Sequence, residues 1–244
     1  MRPAHRIFVA ACIVALSVTP MLAHDAQGAS SSAGDANARA SAAAIAALPR
    51  GLLDALGATG LIGHGEPVAA FAWTLENKRP ARAARQLRER FAGTPRGAPA
   101  GLSPMQREVL GPNPRPPRDG VSVRGLTVVR PHDTEVEVRV RDLALPLREG
   151  ARFRLDYDEN GSSLSQECTV GSLVPASTVF ESIPGEARDI ACSGEGRYRG
   201  IPVQVSAKVA YLLRLGVFLV QEQRIDTPLG ALRAGTRVLS FEMP

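Results

Sequence analysis

Asp156–Glu167 reads DYDENGSSLSQE, and the fold of the C-terminal half turns on how these twelve residues are read. They fit the calcium-loop pattern D-x-[DN]-x-[DN]-G-x5-E at every required position. In that reading Asp156, Asp158 and Asn160 offer side-chain oxygens, Ser162 its carbonyl and Glu167 a bidentate carboxylate. Such a loop needs a helix on either side, and the flanks argue against one. Pro146 and Gly150 interrupt the approach, and Phe153, Leu155 and Tyr157 alternate with Arg152, Arg154, Asp156 and Asp158. The exit, Cys168-Thr169-Val170-Gly171, is β-forming, and Ser163 stands where such loops usually carry an aliphatic residue. The same letters spell a hairpin: two wet-face aspartates, an Asn160-Gly161 turn and a returning strand. The hairpin is the primary expectation, with calcium as a subordinate one.

The two-residue period extends outward from this hairpin. Val136, Val138 and Val140 alternate with charged residues, and Val203, Val205, Ala207, Val209 and Tyr211 alternate with Gln204, Ser206, Lys208 and Ala210. Val121–Val129, Val217–Ile225 and Leu232–Phe241 suggest further strands with one wet face. Residues 121–244 are therefore expected to form an antiparallel β barrel or sandwich.

The N-terminal part reads differently. Leu48, Leu52, Leu53 and Leu56 lie on one helical stripe that ends at Gly57. Val68, Phe71, Ala72 and Leu75 after Pro67, and Ala84, Leu87 and Phe91 after Pro80, suggest two more helices. Ser103-Pro104-Met105-Gln106 resembles a capping box for a short fourth, stopped by Gly111. GPNPRPPRDG, residues 111–120, reads as a proline-rich spacer. The expected fold class is α+β: a small helical region at 45–110, the spacer, and the β domain with one disulfide.

Upstream, Arg2, His5 and Arg6 precede an apolar run from Ile7 to Val18, a Thr19-Pro20 break and a small residue at Ala23. This is the layout of an export signal over residues 1–23. Residues 24–44, rich in Ala and Ser, read as a flexible tether. Without the signal two cysteines remain, Cys168 and Cys192, and an oxidising compartment favours joining them.

Of 29 basic residues two are lysine, so 27 are arginine. Between Lys78 and Arg118 ten basic residues face Glu89 and Glu108, a local balance of +8 against +5 for the whole chain. Arg82 and Arg85 fall on the wet face of the third expected helix, where they could meet an anionic surface or the membrane periphery. Nucleic acid is not expected, because no aromatics interleave with these arginines. Tyr198, after the apparent turn Ser193–Gly196, is a further candidate contact. His64 and His132 fit no metal or nucleophile motif, although a dispersed Ser-His-Asp hydrolase site could use either. The functional expectation is an exported, non-catalytic binding or interaction protein of the bacterial cell envelope, periplasmic or secreted. It has no cofactor beyond the calcium alternative, and its partner is a protein or an anionic envelope component.

Overall fold

The computed structural model describes residues 33–244 except 79–82, 113, 134–137, 160–161 and 199. The expected export signal, Arg82 and the Asn160-Gly161 pair lie outside the described residues. Two helices come first, α1 (Ala33–Ala46) and α2 (Arg50–Ala58). Twelve strands follow: β1 (Ala70–Lys78), β2 (Arg85–Ala92), β3 (Leu102–Leu110), β4 (Arg115–Val123), β5 (Thr127–Val129) and β6 (Val138–Arg141). The rest are β7 (Arg152–Glu159), β8 (Ser162–Pro175), β9 (Glu186–Tyr198), β10 (Ile201–Leu212), β11 (Val217–Thr227) and β12 (Gly230–Glu242).

All twelve form one antiparallel sheet in the order β5-β4-β3-β2-β1-β12-β11-β10-β9-β8-β7-β6, a nearly closed barrel. It is an up-and-down meander in which the first and last strands of the chain pair, from Ala72↔Glu242 to Lys78↔Gly235. The unpaired edges are β5 and β6, consecutive in sequence.

The fold is thus mostly β and not clearly α+β. The helix expected over 48–57 is present as α2, but the three expected after it are β1, β2 and β3. In β1 the buried positions are Phe71, Trp73 and Leu75, a period of two. In β2 Leu87 and Phe91 sit four apart because Glu89 between them also faces inward and is buried. A charge at an inner strand position made the pattern look helical. The apparent capping box belongs to β3, where Ser103 Oγ accepts the Gly93 backbone N–H at 3.1 Å. Most of the expected spacer is β4, and part of the expected tether is α1.

Of the expected strands, those over 152–158, 203–211, 217–225 and 232–241 are present, and Val138–Arg141 is β6. Val121–Val129 is not one strand but the end of β4, a turn and β5, with Val121 opposite Val129. The described residues of the DYDENGSSLSQE stretch form a hairpin ladder. β7 and β8 pair from Arg152↔Thr169 to Glu159↔Ser162. Cys168 and Cys192 stand directly opposite on β8 and β9 and are joined by a disulfide, S–S 2.03 Å. Closing a loop over a separation of 24 residues stabilises the fold by about 3 kcal/mol in the chain-entropy account.

Along β7, over 162–170 of β8 and over 203–209 of β10 the large apolar side chains point inward, while Arg152, Ser163, Glu167, Gln204, Ser206 and Lys208 are exposed on the outer face. Lipid-crossing barrels show the opposite arrangement, an apolar outer band. No helix among the described residues is long and apolar enough to cross a membrane.

At one end of the barrel, Leu48, Leu52 and Leu56 join Leu102, Val123 and Phe218 in a single apolar cluster. Each of these leucines contributes roughly 1.5–3 kcal/mol by burial. The β10–β11 hairpin is buried on both faces here. Tyr211 and Phe218 belong to this cluster, whereas Leu212, Val217 and Leu219 pack with Phe71, Trp73 and Phe91 in a second one. A strand buried on both sides loses its alternation, which is why YLLRLGVFLV, residues 211–220, is apolar on both faces, broken only by Arg214 and Gly216 at the turn.

Arg124 holds this end together. It is fully buried, at 0% exposure, in the β4–β5 turn with φ 47°. Its Nε donates to the Leu61 carbonyl at 2.7 Å, and its Nη1 donates to the carbonyls of Glu66 (3.0 Å) and Gly216 (3.1 Å) and to the Tyr211 hydroxyl (3.2 Å). Nη2 donates to the His64 carbonyl. One side chain thereby ties the loop before β1, the β4–β5 turn and the β10–β11 turn. Burial lowers the Arg124 pKa, partly offset by Tyr211 and Glu66, and burial raises that of Tyr211.

Candidate functional site

Inside the barrel is a cavity of about 370 Å³, and every one of the twelve strands contributes to its lining. Its apolar wall includes Trp73, Leu75, Met105, Leu155, Leu164 and Val209. Val220, opposite the buried Val209 in register, also lines it and keeps 39% exposure. The size falls in the range of small-molecule sites, about 300–1,000 Å³.

Polar groups enter this wall at a few defined places. Across β1, β2, β3 and β4 runs one row, Trp73↔Glu89↔Arg107↔Arg118. The Trp73 indole N–H donates to Glu89 Oε2 at 2.8 Å, and Arg107 Nε donates to Glu89 Oε1 at 2.6 Å. Glu89, 5% exposed, is therefore a buried carboxylate with a donor on each oxygen, the condition under which burying a charge is tolerable. From β8, Gln166 also lines the cavity; its amide oxygen is buried and has no hydrogen-bond partner. Arg85, Arg115, Arg118 and Arg130 complete a basic rim on the β2–β5 side.

The sequence-derived candidates distribute unevenly around this site. Arg85 lines it, on the same inner face as Glu89 because the two are four apart on a strand rather than one turn apart on a helix. Arg82 lies outside the described residues. Tyr198 ends β9 and packs against the Val203, Val205 and Ile225 cluster. The stretch Ser193–Gly196 before it is strand rather than turn. Its glycines stand where β8 comes close: a Cβ on Gly194 would lie 1.9 Å from the Ser165 carbonyl oxygen.

The calcium candidates lie along a ladder. Asp158 faces Ser163 and Glu167 faces Arg154, so these two acids are four residues apart along the hairpin, about 13 Å. The Asp156 carboxylate accepts from Ser165 Oγ (2.6 Å) and Arg154 Nε (3.0 Å) and pairs with Arg141 (3.0 Å). Its pKa lies below the usual value: burial pushes it up, but these hydrogen bonds and charges together outweigh that. Glu167 pairs with Arg152, and the backbone of Ser162 is taken up by the ladder at Glu159↔Ser162. Ladder and ion pairs replace the cage that the spacing alone suggested. Among the described residues no group of three or more His, Cys, Asp or Glu could hold a metal ion.

The histidines are also apart from the cavity. His64 is exposed and contributes its backbone carbonyl to Arg124, and His132 sits 3.6 Å from Asp133 on the surface.

Sequence reasoning missed Glu89, Arg107 and Gln166. The available signal was QLRERF, residues 86–91, in which Leu87, Glu89 and Phe91 share the inner face of a strand. The basic density over 78–118 was visible, but its direction, into a cavity, was not. No family model matches the chain, and no curated protein or solved structure is detectably similar to it.

Proposed function

We propose that the protein is a non-catalytic binding protein that encloses an apolar or amphipathic small molecule in its barrel, acting outside the cytoplasm as the N-terminal sequence suggests. The observation that carries this reading is the lined cavity itself. Its wall is apolar over most of its extent, yet it contains Gln166, whose buried amide oxygen has no protein partner. A packing defect in a hydrophobic core is apolar throughout, whereas buried polar groups are normally paired. An unpartnered amide oxygen in a mostly apolar wall suits a ligand that brings a donor to it. The disulfide supports an oxidising compartment.

Trp73 is the sole tryptophan and stands in the cavity wall, so binding is readable without labels. A neutral, environment-sensitive fluorophore such as N-phenyl-1-naphthylamine is expected to bind saturably, with energy transfer from Trp73. Ala207, a small residue of the wall, is the position to fill. Ala207→Trp in a protein that still melts cooperatively should abolish this binding. Absence of saturable binding to the wild type, or unchanged binding to the filled variant, overturns the proposal.

A further inference from the structure

The five arginines on one side of the cavity have more charge than their surroundings neutralise. Arg85, Arg107, Arg115, Arg118 and Arg130 all line it, and the carboxylates lining it are Glu89 and Asp156. Glu89 is held by Arg107 and Trp73, and Asp156 is paired with Arg141 and Arg154. Among the described residues no carboxylate lies within ion-pair distance of the Arg85, Arg115, Arg118 or Arg130 guanidinium group, although Asp133 accepts the Arg130 backbone N–H at 2.8 Å.

Two of them are also set against each other. Arg107 and Arg118 are direct cross-strand partners on β3 and β4, a like-charge pairing that destabilises a sheet. The register shifts between Arg107 and Val109, immediately beside that pair. Bulges re-aim side chains, and they are common next to functional sites. An oxyanion between the two guanidinium groups would turn their repulsion into paired, charge-assisted hydrogen bonds, for which the planar fork of arginine is suited.

We infer that the ligand is a single-chain amphiphile with an oxyanion head, a carboxylate or a phosphate, whose head lies against the arginine rim while its chain occupies the apolar cavity. This rests on the reading that the cavity is a ligand site. The chemistry is complementary at both ends: the Leu75, Leu87 and Val109 row continues directly to Arg115, so grease and charge adjoin along one line across β1–β4.

The test is displacement of the neutral fluorophore by four compounds with one chain and different heads: laurate, dodecyl phosphate, dodecanol and dodecyltrimethylammonium, each kept below its micelle concentration. Both oxyanions should bind roughly tenfold or more tightly than dodecanol, and high salt should weaken them alone. The tighter of the two identifies the head. Arg115→Gln/Arg118→Gln should weaken the oxyanions by about tenfold or more and leave dodecanol unchanged. Arg152→Gln/Lys208→Gln, both on the outer face, serves as the charge-matched control and should bind as wild type. If dodecanol or the cation binds as tightly as the oxyanions, or if the double variant binds them as wild type does, the head-group inference is wrong while the cavity reading stands. If the fluorophore itself does not bind, both fail.

Discussion

Trp73 and Glu89 stand opposite each other on β1 and β2, and the indole N–H donates to the carboxylate at 2.8 Å in the wall of the barrel cavity. The other carboxylate oxygen accepts from Arg107 at 2.6 Å, so one buried acid satisfies two donors from neighbouring strands. Glu89→Leu leaves both donors without their acceptor. Breaking a buried pair by removing one partner costs about 3–5 kcal/mol. Arg107 keeps 29% of its side-chain exposure, so the lower end of that range applies. Glu89→Gln keeps an acceptor for the indole and should cost less. Urea denaturation measures the difference, and Trp73 emission reports the change in the indole's surroundings. A Leu variant as stable as wild type would refute the account.

Arg124 supports a second prediction. Its guanidinium serves four backbone carbonyls and the Tyr211 hydroxyl, so no single-point cation can replace it. Arg124→Lys has three donors on a compact head and cannot span the same acceptors. Arg124→Met leaves the carbonyls buried and unpaired, at about 1–3 kcal/mol for each that water cannot reach. Tyr211→Phe removes one hydrogen bond and should cost about 1 kcal/mol. The expected order of melting temperatures is wild type, Tyr211→Phe, Arg124→Lys, Arg124→Met. A lysine variant equal to wild type would show that charge, not the fork, is what this site requires.

A third prediction concerns acid. The folded Asp156 carboxyl has a pKa below its usual value, because Ser165, Arg154 and Arg141 together outweigh the opposing effect of burial. A depressed folded pKa means stabilisation that is present above the unfolded value, about 3.9, and is lost as pH falls through the folded one. Asp156→Asn should therefore be less stable than wild type at pH 7, by on the order of 1 kcal/mol or less because the site is partly exposed. The two should converge only as pH falls through the depressed folded pKa and the wild-type carboxyl protonates. Denaturant midpoints across this range test it; a gap that persists in acid would point to shape rather than charge.

The extent to which the sequence foretold this fold follows from where polar residues sit. β6, β7 and β10 as far as Ala210 are legible because every inner residue is apolar and every outer one polar or small. The β7–β8 ladder could be distinguished from a calcium loop because Phe153, Leu155 and Tyr157 fix the face of the approaching strand. β2 was obscured by Glu89, since a buried charge is written in the sequence like an exposed one, and only the partners from β1 and β3 give it away. β4 was obscured by its prolines, and Pro116 and Pro117 nonetheless lie in a strand next to the three-residue β5, near the open edge of the sheet, where proline is tolerated. The cavity was illegible, because a lumen is a property of twelve strands closing together and no local stretch carries it.

Glycine gives the last prediction, and it separates two reasons for the same residue. Gly194 and Gly196 lie inside β9, where a Cβ would come within 1.9 Å of the Ser165 oxygen and 2.1 Å of the Ser163 oxygen. Both obstacles are backbone of β8, which cannot swing aside as a side-chain tip could. Gly57, within α2, has nothing within 4 Å of the corresponding position and no positive φ. Gly194→Ala must push β8 and β9 apart beside the Cys168–Cys192 bridge, and should cost on the order of 1–3 kcal/mol, as overpacking does. Gly57→Ala gains helix propensity, up to about 1 kcal/mol, and should be neutral or stabilising. Thermal melts of the two variants should therefore move in opposite directions, or at least separate clearly. If Gly194→Ala melts with or above the wild type, the close approach of β8 to β9 is not as described, and the inward course of the strand that carries Gln166 must be redrawn with it.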